Sequence, residues 1–223
     1  MTWTDYLGPL SQGAWVTIQL TFFSTLLGGL LAFASGIGKR AENPVIKAIS
    51  IGYIEVFRGT SLLVQLFWLY FALPVLGDQI GINLRIEPVT AGILALSLNI
   101  GAYGAEVVRG ALQAVSPHQN EAAVALNFTP RQALWRIYLP QAIPEMMPSF
   151  TNLAVQNLKD TALVSLISLS DLAFKGEQLR NYYQDSTPIY TIILLMYFGM
   201  AMVISGLMRL LEVYVSRWRT ARG

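Results

Sequence analysis

The pentapeptide EVFRG at residues 55–59 returns almost unchanged as EVVRG at residues 106–110. In each copy a carboxylate and a guanidinium stand one helical turn apart, a spacing at which they are neighbours on a helix. A second polar group interrupts another apolar stretch, where Lys159 and Asp160 follow Asn152, Gln156 and Asn157. Charges at membrane depth face a bundle interior or a wet cavity and mark a path for solutes or ions, although an adjacent Lys and Asp also neutralise one another. Other chemistry is poorly served. The chain has no Cys, a single His (His118), no HExxH and no GxxxxGK[ST], so histidine- or thiolate-based metal sites and a phosphate-cradling loop have no residues to build them.

The elements that must position these groups are membrane helices. Of the 223 residues 54% are hydrophobic and 13% charged, with a mean hydropathy of +0.49, values foreign to a water-soluble domain. Uncharged runs at 6–38, 59–77, 88–105, 146–170 (broken) and 186–208 predict an all-α, polytopic helical bundle of about five spans. A single domain accounts for 1–223. The first twelve residues carry no Lys or Arg, so they lack the basic flank of a secretory signal and are expected to stay. Lys39, Arg40 and Lys47 follow the first run, Arg109, Arg131 and Arg136 the third, and Arg209, Arg217, Arg219 and Arg222 the fifth. The positive-inside rule then places the N-terminus outside and the C-terminus in the cytoplasm.

This topology puts both pentapeptides near the inner face, at the start of span two and the end of span three. Glu55 and Arg109 there suit the dipoles of their helix ends, whereas Arg58 and Glu106 do not. One arrangement pairs Arg58 with Glu106 across the antiparallel helices, or across a dimer axis, with Gly59 and Gly110 allowing close approach. The local pairs Glu55–Arg58 and Glu106–Arg109 are the alternative, and for Arg58 and Arg109 singly, snorkelling to the interface is another. The fourth run looks too short for a crossing before Lys159 and Asp160 interrupt it.

Residues 116–140 are too polar to cross. Ser116-Pro117-His118-Gln119 and Thr129-Pro130-Arg131-Gln132 each offer an N-cap, a first-turn Pro and a reciprocal Gln, the pattern of a capping box. Asn127 between them suits a left-handed stop. Two short helices are predicted, the first presenting Ala122, Ala123 and Leu126 as a small-residue face with Glu121 beside it.

At this point the residues carry a resemblance. Glu121-Ala122-Ala123, Ile137 and Leu139-Pro140 resemble the EAA loop of ABC-importer permeases, and YIEVFRGTSLLVQLF, AYGAEVVRGALQAV and NLKDTALVSLISLSDL resemble the polar amino-acid permeases of the histidine and glutamine type. The chain departs from that pattern at Ser61, commonly Pro, and at His118 and Asn127, commonly Gly. The phrase VALNFTP is similar to the ectoine and hydroxyectoine subgroup. The resemblance implies a type I importer permease fold in a bacterial inner membrane. It implies a transport subunit with no cofactor of its own, ATP and Mg being bound by a partner ATPase dimer. A second permease subunit, an external solute-binding protein and membrane lipid complete the expected partners, with no nucleic acid. It further implies ATPase coupling through Glu121, Ala122, Ala123, Leu126 and Asn127. Glu55, Arg58, Glu106 and Arg109 become candidates for an inner gate. Asn99, Tyr103, Gln156, Asn157 and Asp160 become a candidate site for a zwitterionic or cationic solute, with interhelical hydrogen bonding as the competing role. An ion-coupled transporter or channel is the alternative reading, with Glu55, Glu106 or Asp160 as the ion site.

Overall fold

The computed structural model describes the backbone of residues 4–220 and the side chains of 6–119 and 121–216. The side chains of Arg217, Arg219 and Arg222, counted above toward orientation, lie outside the described residues. Helix α1 (Thr4–Gly38) is a single apolar rod. Helix α2 (Pro44–Gly59) starts where Asn43 Oδ1 accepts from the Val45 and Ile46 N–H groups, with Pro44 in the first turn, the N-cap pattern that satisfies otherwise orphaned donors. It stops at Thr60 and Ser61, both extended. Beyond this break, α3 (Leu62–Phe67), a π-helical turn (Trp68–Ala72) and α4 (Leu73–Gln79) form one continuous rod. The wide turn ends two residues before Pro74, which has no N–H to donate and crowds the carbonyl four residues back, that of Tyr70 within the turn.

Helix α5 (Pro88–Ala114) follows, then α6 (Pro117–Ala125) and α7 (Pro130–Ala133). The last runs without a break through a second π turn (Leu134–Tyr138), placed just before Pro140, into α8 (Leu139–Asp160). A 3-10 segment (Thr161–Ile167) ends at Ser168 with φ +63°. Helix α9 (Leu172–Tyr183), capped by Asp171, and α10 (Ser186–Thr220) complete the chain.

Three expectations are corrected. EVFRG does not open a membrane span; it closes α2, a charged amphipathic helix that a search for uncharged runs passes over. The second helix of the 116–140 loop is not a separate element but the start of the rod that includes α8. And α8 is not too short: its 22 residues rise about 33 Å, and Lys159 and Asp160 occupy its last turn rather than interrupting it. Length and apolarity alone mark four membrane spans among the described residues, Tyr6–Gly38, Leu62–Gln79, Pro88–Ala114 and Ser186–Ser216; α8 is long enough but too polar to join them.

The bundle is organised about α1 and α5. A Cβ added to Gly36 of α1 would lie 2.8 Å from the Ala105 carbonyl oxygen, and one on Gly104 of α5 would lie 2.7 Å from the Ala32 Cβ, so the two backbones touch through small residues as membrane helices do. Along α5 the packing is layered. Ala91, Ala95 and Leu96 belong to one apolar cluster with Leu20, Leu66 and Val164, while Val108 and Leu112 belong to another with Leu139, Ala142 and Met146. A polar layer lies between them.

Candidate functional site: a polar cavity between two broken segments

The polar layer opens into a cavity of about 390 Å³ lined by Thr60, Ser61, Leu62, Leu96, Asn99, Ile100, Tyr103, Leu153, Gln156, Asn157 and Asp160. All five residues proposed from sequence as a solute site line it. They converge because α5 and α8 pack side by side and because two interruptions reach the same depth, the extended Thr60–Ser61 pair and the change from α-helix to 3-10 after Asp160. Irregular backbone at membrane depth is tolerated where it lines a cavity.

The five do not share one role. Asn157 is 2% exposed and turns toward α1, donating to Ser24 Oγ at 2.7 Å and Thr25 Oγ1 at 2.9 Å, the interhelical bonding weighed above as the competing role. Asn99 donates to the Phe57 carbonyl at 3.2 Å and to Gln65 Oε1 at 3.3 Å. Gln156 donates to Asp160 Oδ1 at 2.8 Å. Tyr103 is 41% exposed, with the Arg58 guanidinium carbon 5.5 Å from its ring centroid, within cation–π range.

Gln65 was not singled out from sequence. It is 8% exposed and its amide donates to the Phe57 carbonyl, the Thr60 carbonyl and Thr60 Oγ1, tying the break after α2 to α3. An isolated amide inside the apolar run LLVQLF was the available signal.

The proposed Arg58–Glu106 pair does not form within the chain. Phe57 meets α5 at Asn99, two turns and about 10 Å of rise from Glu106, so the two pentapeptides lie at different depths. Glu106 instead accepts from Lys39 Nζ at 2.6 Å and from Arg109 Nε at 2.8 Å. The local alternative thus holds for the second pentapeptide, with Lys39 as an unforeseen third member, and Arg109 also donates to Gln113. The first pentapeptide differs: among the described residues Glu55 and Arg58 make no ion pair. Both sit at the C-terminal end of α2, so Arg58 rather than Glu55 complements its helix end. A Cβ at Gly59 or Gly110 meets nothing within 4 Å, so neither glycine is needed for close packing inside this chain.

In the polar loop, Thr129 and Gln132 form the predicted capping box; Ser116 makes no side-chain cap bond. Asn127 adopts φ +52°, and the Phe128 N–H to Ala123 and Asn127 N–H to Val124 bonds form a Schellman motif. The predicted small-residue face divides. Ala123 is 2% exposed and packs inward, whereas Glu121, Ala122 and Asn127 are exposed and Leu126 is 64% exposed. A helix has two sides, and the loop's own return covers the side bearing Ala123.

The family model described as "Binding-protein-dependent transport system inner membrane component" matches residues 24–217. A probable amino-acid ABC transporter permease protein of Sinorhizobium fredii is 68% identical over 100% of this chain and 93% of its own length. The glutamine transport system permease of Escherichia coli is 29% identical, covering 91% of each chain. Among solved structures, an amino acid ABC transporter crystallised with histidines superposes with a TM-score of 0.83 at 36% identity, covering 94% of this chain and 95% of that one. The methionine ABC transporter in an inward-facing conformation shares the fold, with a TM-score of 0.78 at 21% identity, covering 96% and 99%. Matched by that family model over most of its length, and layered about a polar cavity between broken helices, the chain belongs to the binding-protein-dependent transport system inner membrane components and is an ABC-transporter permease, a transport subunit and not an enzyme.

Proposed function

We propose that this permease forms the translocation path of an ATP-driven importer for polar amino acids or amino-acid-like solutes, and that the cavity around Asn99, Tyr103, Gln156, Asn157 and Asp160 holds the solute on its way. The observation that carries this reading is the convergence of an acidic, amide and aromatic lining at one depth, with apolar packing on either side of it. Two apolar layers around a polar one suit a path that opens to one side at a time. Relatives named for glutamine and cystine support the amino-acid class. Ectoine-type compatible solutes, which also pair a carboxylate with a delocalised cation, belong in the same test panel.

In this reading the N-terminus is outside and the C-terminus inside, and a second permease, the same chain or a similar one, completes the path. The exposed side of α6 and the turn that ends it, with Glu121, Ala122, Leu126 and Asn127, docks on one subunit of an ATPase dimer, which supplies the ATP and Mg sites. An external solute-binding protein delivers the solute.

The complex reconstituted in sealed vesicles with its binding protein tests the proposal. Uptake that requires ATP on the ATPase side, and that falls with Asp160→Asn in an intact complex, is the expected result. Uptake driven by an ion gradient without ATP would overturn it.

A further inference from the structure

We propose that a cleft between the α1–α2 link and the α6–α7 loop holds an anionic phospholipid, its phosphate on Arg40 and Arg131 and one acyl chain along the open side of α2. The cleft shares no lining residue with the polar cavity, so lipid binding there is independent of what the permease carries.

The cleft has a volume of about 1050 Å³, and its lining includes Arg40, Glu42, Ile46, Leu112, Phe128 and Arg131. Arg40 follows the end of the span Tyr6–Gly38, and Leu112 lies in the last turn of the span Pro88–Ala114, which puts the cleft at headgroup level. The cations gathered there are not equivalent. Lys39 and Arg109 are both held by Glu106, and Arg136 rests over the Phe128 ring. Among the described residues Arg40 and Arg131 make no ion pair, not even with Glu42. Two unpaired guanidiniums against one carboxylate leave the lining with a net positive charge, and the planar fork of each fits phosphate oxygens in bidentate fashion. Basic pockets between membrane helices bind lipid phosphates in this way.

What lies beside the cleft suits an acyl chain. Val45, Ile49, Gly52 and Val56 recur at helical spacing along one side of α2. The three apolar side chains are each more than half exposed, and a Cβ on Gly52 meets nothing within 4 Å. Ile46, on the wall of the cleft, adjoins the start of this stripe. From Val45 to Val56 the stripe rises about 16 Å, and just beyond it the Phe57 carbonyl accepts from Asn99 in the polar layer. Half of a hydrocarbon core is about 15 Å thick. A chain anchored by its phosphate in the cleft therefore runs along α2 through one leaflet, a fit that a soluble anion cannot use.

The test is native mass spectrometry of the purified permease–ATPase complex, titrated with palmitoyl-oleoyl phosphatidylglycerol or with the matching phosphatidylcholine, which has the same chains but no net charge. The first phosphatidylglycerol is expected to bind roughly tenfold or more tightly than phosphatidylcholine. Arg40→Gln and Arg131→Gln should each weaken it by roughly fivefold, the effect of one basic residue at an anionic lipid, and should leave phosphatidylcholine binding unchanged. Glu42→Gln removes the opposing charge and should tighten phosphatidylglycerol binding. Glycerol 3-phosphate, a headgroup without chains, should not displace the lipid. Equal affinity for the two lipids would overturn the inference, as would displacement by glycerol 3-phosphate. So would an equal loss on Arg209→Gln, which lies on α10 outside the cleft. Loss of the ATPase subunits from the Arg40 and Arg131 variants would also overturn it, by making the cleft part of the ATPase contact.

Discussion

A carboxylate held by two cations is worth most where water is scarce. Glu106 meets Lys39 and Arg109 at 2.6 and 2.7 Å, with side-chain exposures of 19, 21 and 31%. Such partly buried groups lie between the negligible surface pair and the costly buried one. A double-mutant cycle of Lys39→Met and Glu106→Gln, read from thermal melting of the purified complex, is expected to give a coupling of about 1–2 kcal/mol. The corresponding cycle of Arg58→Met with Glu106→Gln is expected to be additive within about 0.5 kcal/mol, since these residues share no contact. Asp171 carries a different prediction. It is fully buried and caps α9 through the Phe174 N–H, and burial pushes its carboxyl up from 3.8 to about 6, against the lowering effect of its backbone hydrogen bonds. The folded state therefore binds this proton more tightly than the unfolded chain does. Its contribution to stability is full below the ordinary value of 3.8 and is lost as pH rises through about 6. Asp171→Asn preserves a cap and should flatten that dependence, so the melting difference between the two proteins is expected to widen from about pH 4 to about pH 7 in favour of the variant.

At the scale of elements, the polar loop is built by local chemistry that can be tested one residue at a time. Asn127 holds a left-handed conformation, which Gly adopts without penalty and a β-branched residue does not. Asn127→Gly should be neutral, while Asn127→Val should cost about 1–2 kcal/mol and make the loop more sensitive to protease. Because Ala123 is buried, Ala123→Trp disrupts the loop itself and says nothing about docking. The informative change is Leu126→Arg, at a side chain that is 64% exposed. The variant permease is expected to melt like the parent while losing co-purification of the ATPase; unchanged co-purification would place the docking surface elsewhere. The two π turns ahead of Pro74 and Pro140 belong to this scale too, each letting a long helix carry a proline without ending.

For the whole molecule, the contact between α1 and α5 decides how the layers stack. Gly36 and Gly29 sit on the same helix, yet a Cβ on Gly36 meets backbone and Val108 within 3 Å while one on Gly29 meets nothing within 4 Å. Gly36→Leu is therefore expected to abolish a folded complex, or to cost more than about 3 kcal/mol by overpacking, whereas Gly29→Leu should leave yield and melting unchanged. Equal tolerance of both would mean that α1 and α5 are not held at this distance. Much of α10 stays open on the single chain, with Leu194, Phe198, Met202 and Leu210 each more than 60% exposed, as suits a helix whose surroundings are lipid or a second permease.

The sequence by itself determined what is local or compositional. Apolar runs announced a helical membrane protein, the Thr129 box and the Asn127 stop followed from neighbours a few residues away, and the loop motif carried the family. Asn99, Tyr103, Gln156, Asn157 and Asp160 were legible as a group because polar side chains stand out in apolar helices. Their division of labour was not legible: whether an amide faces the cavity or a hydroxyl on α1 depends on the rotation and register of packed helices. The depth of EVFRG was hidden for the same reason. An amphipathic α2, charged enough to look like a loop, packs along α5 and carries Arg58 up to Tyr103, leaving Glu106 to Lys39, a partner brought close only by the tertiary fold.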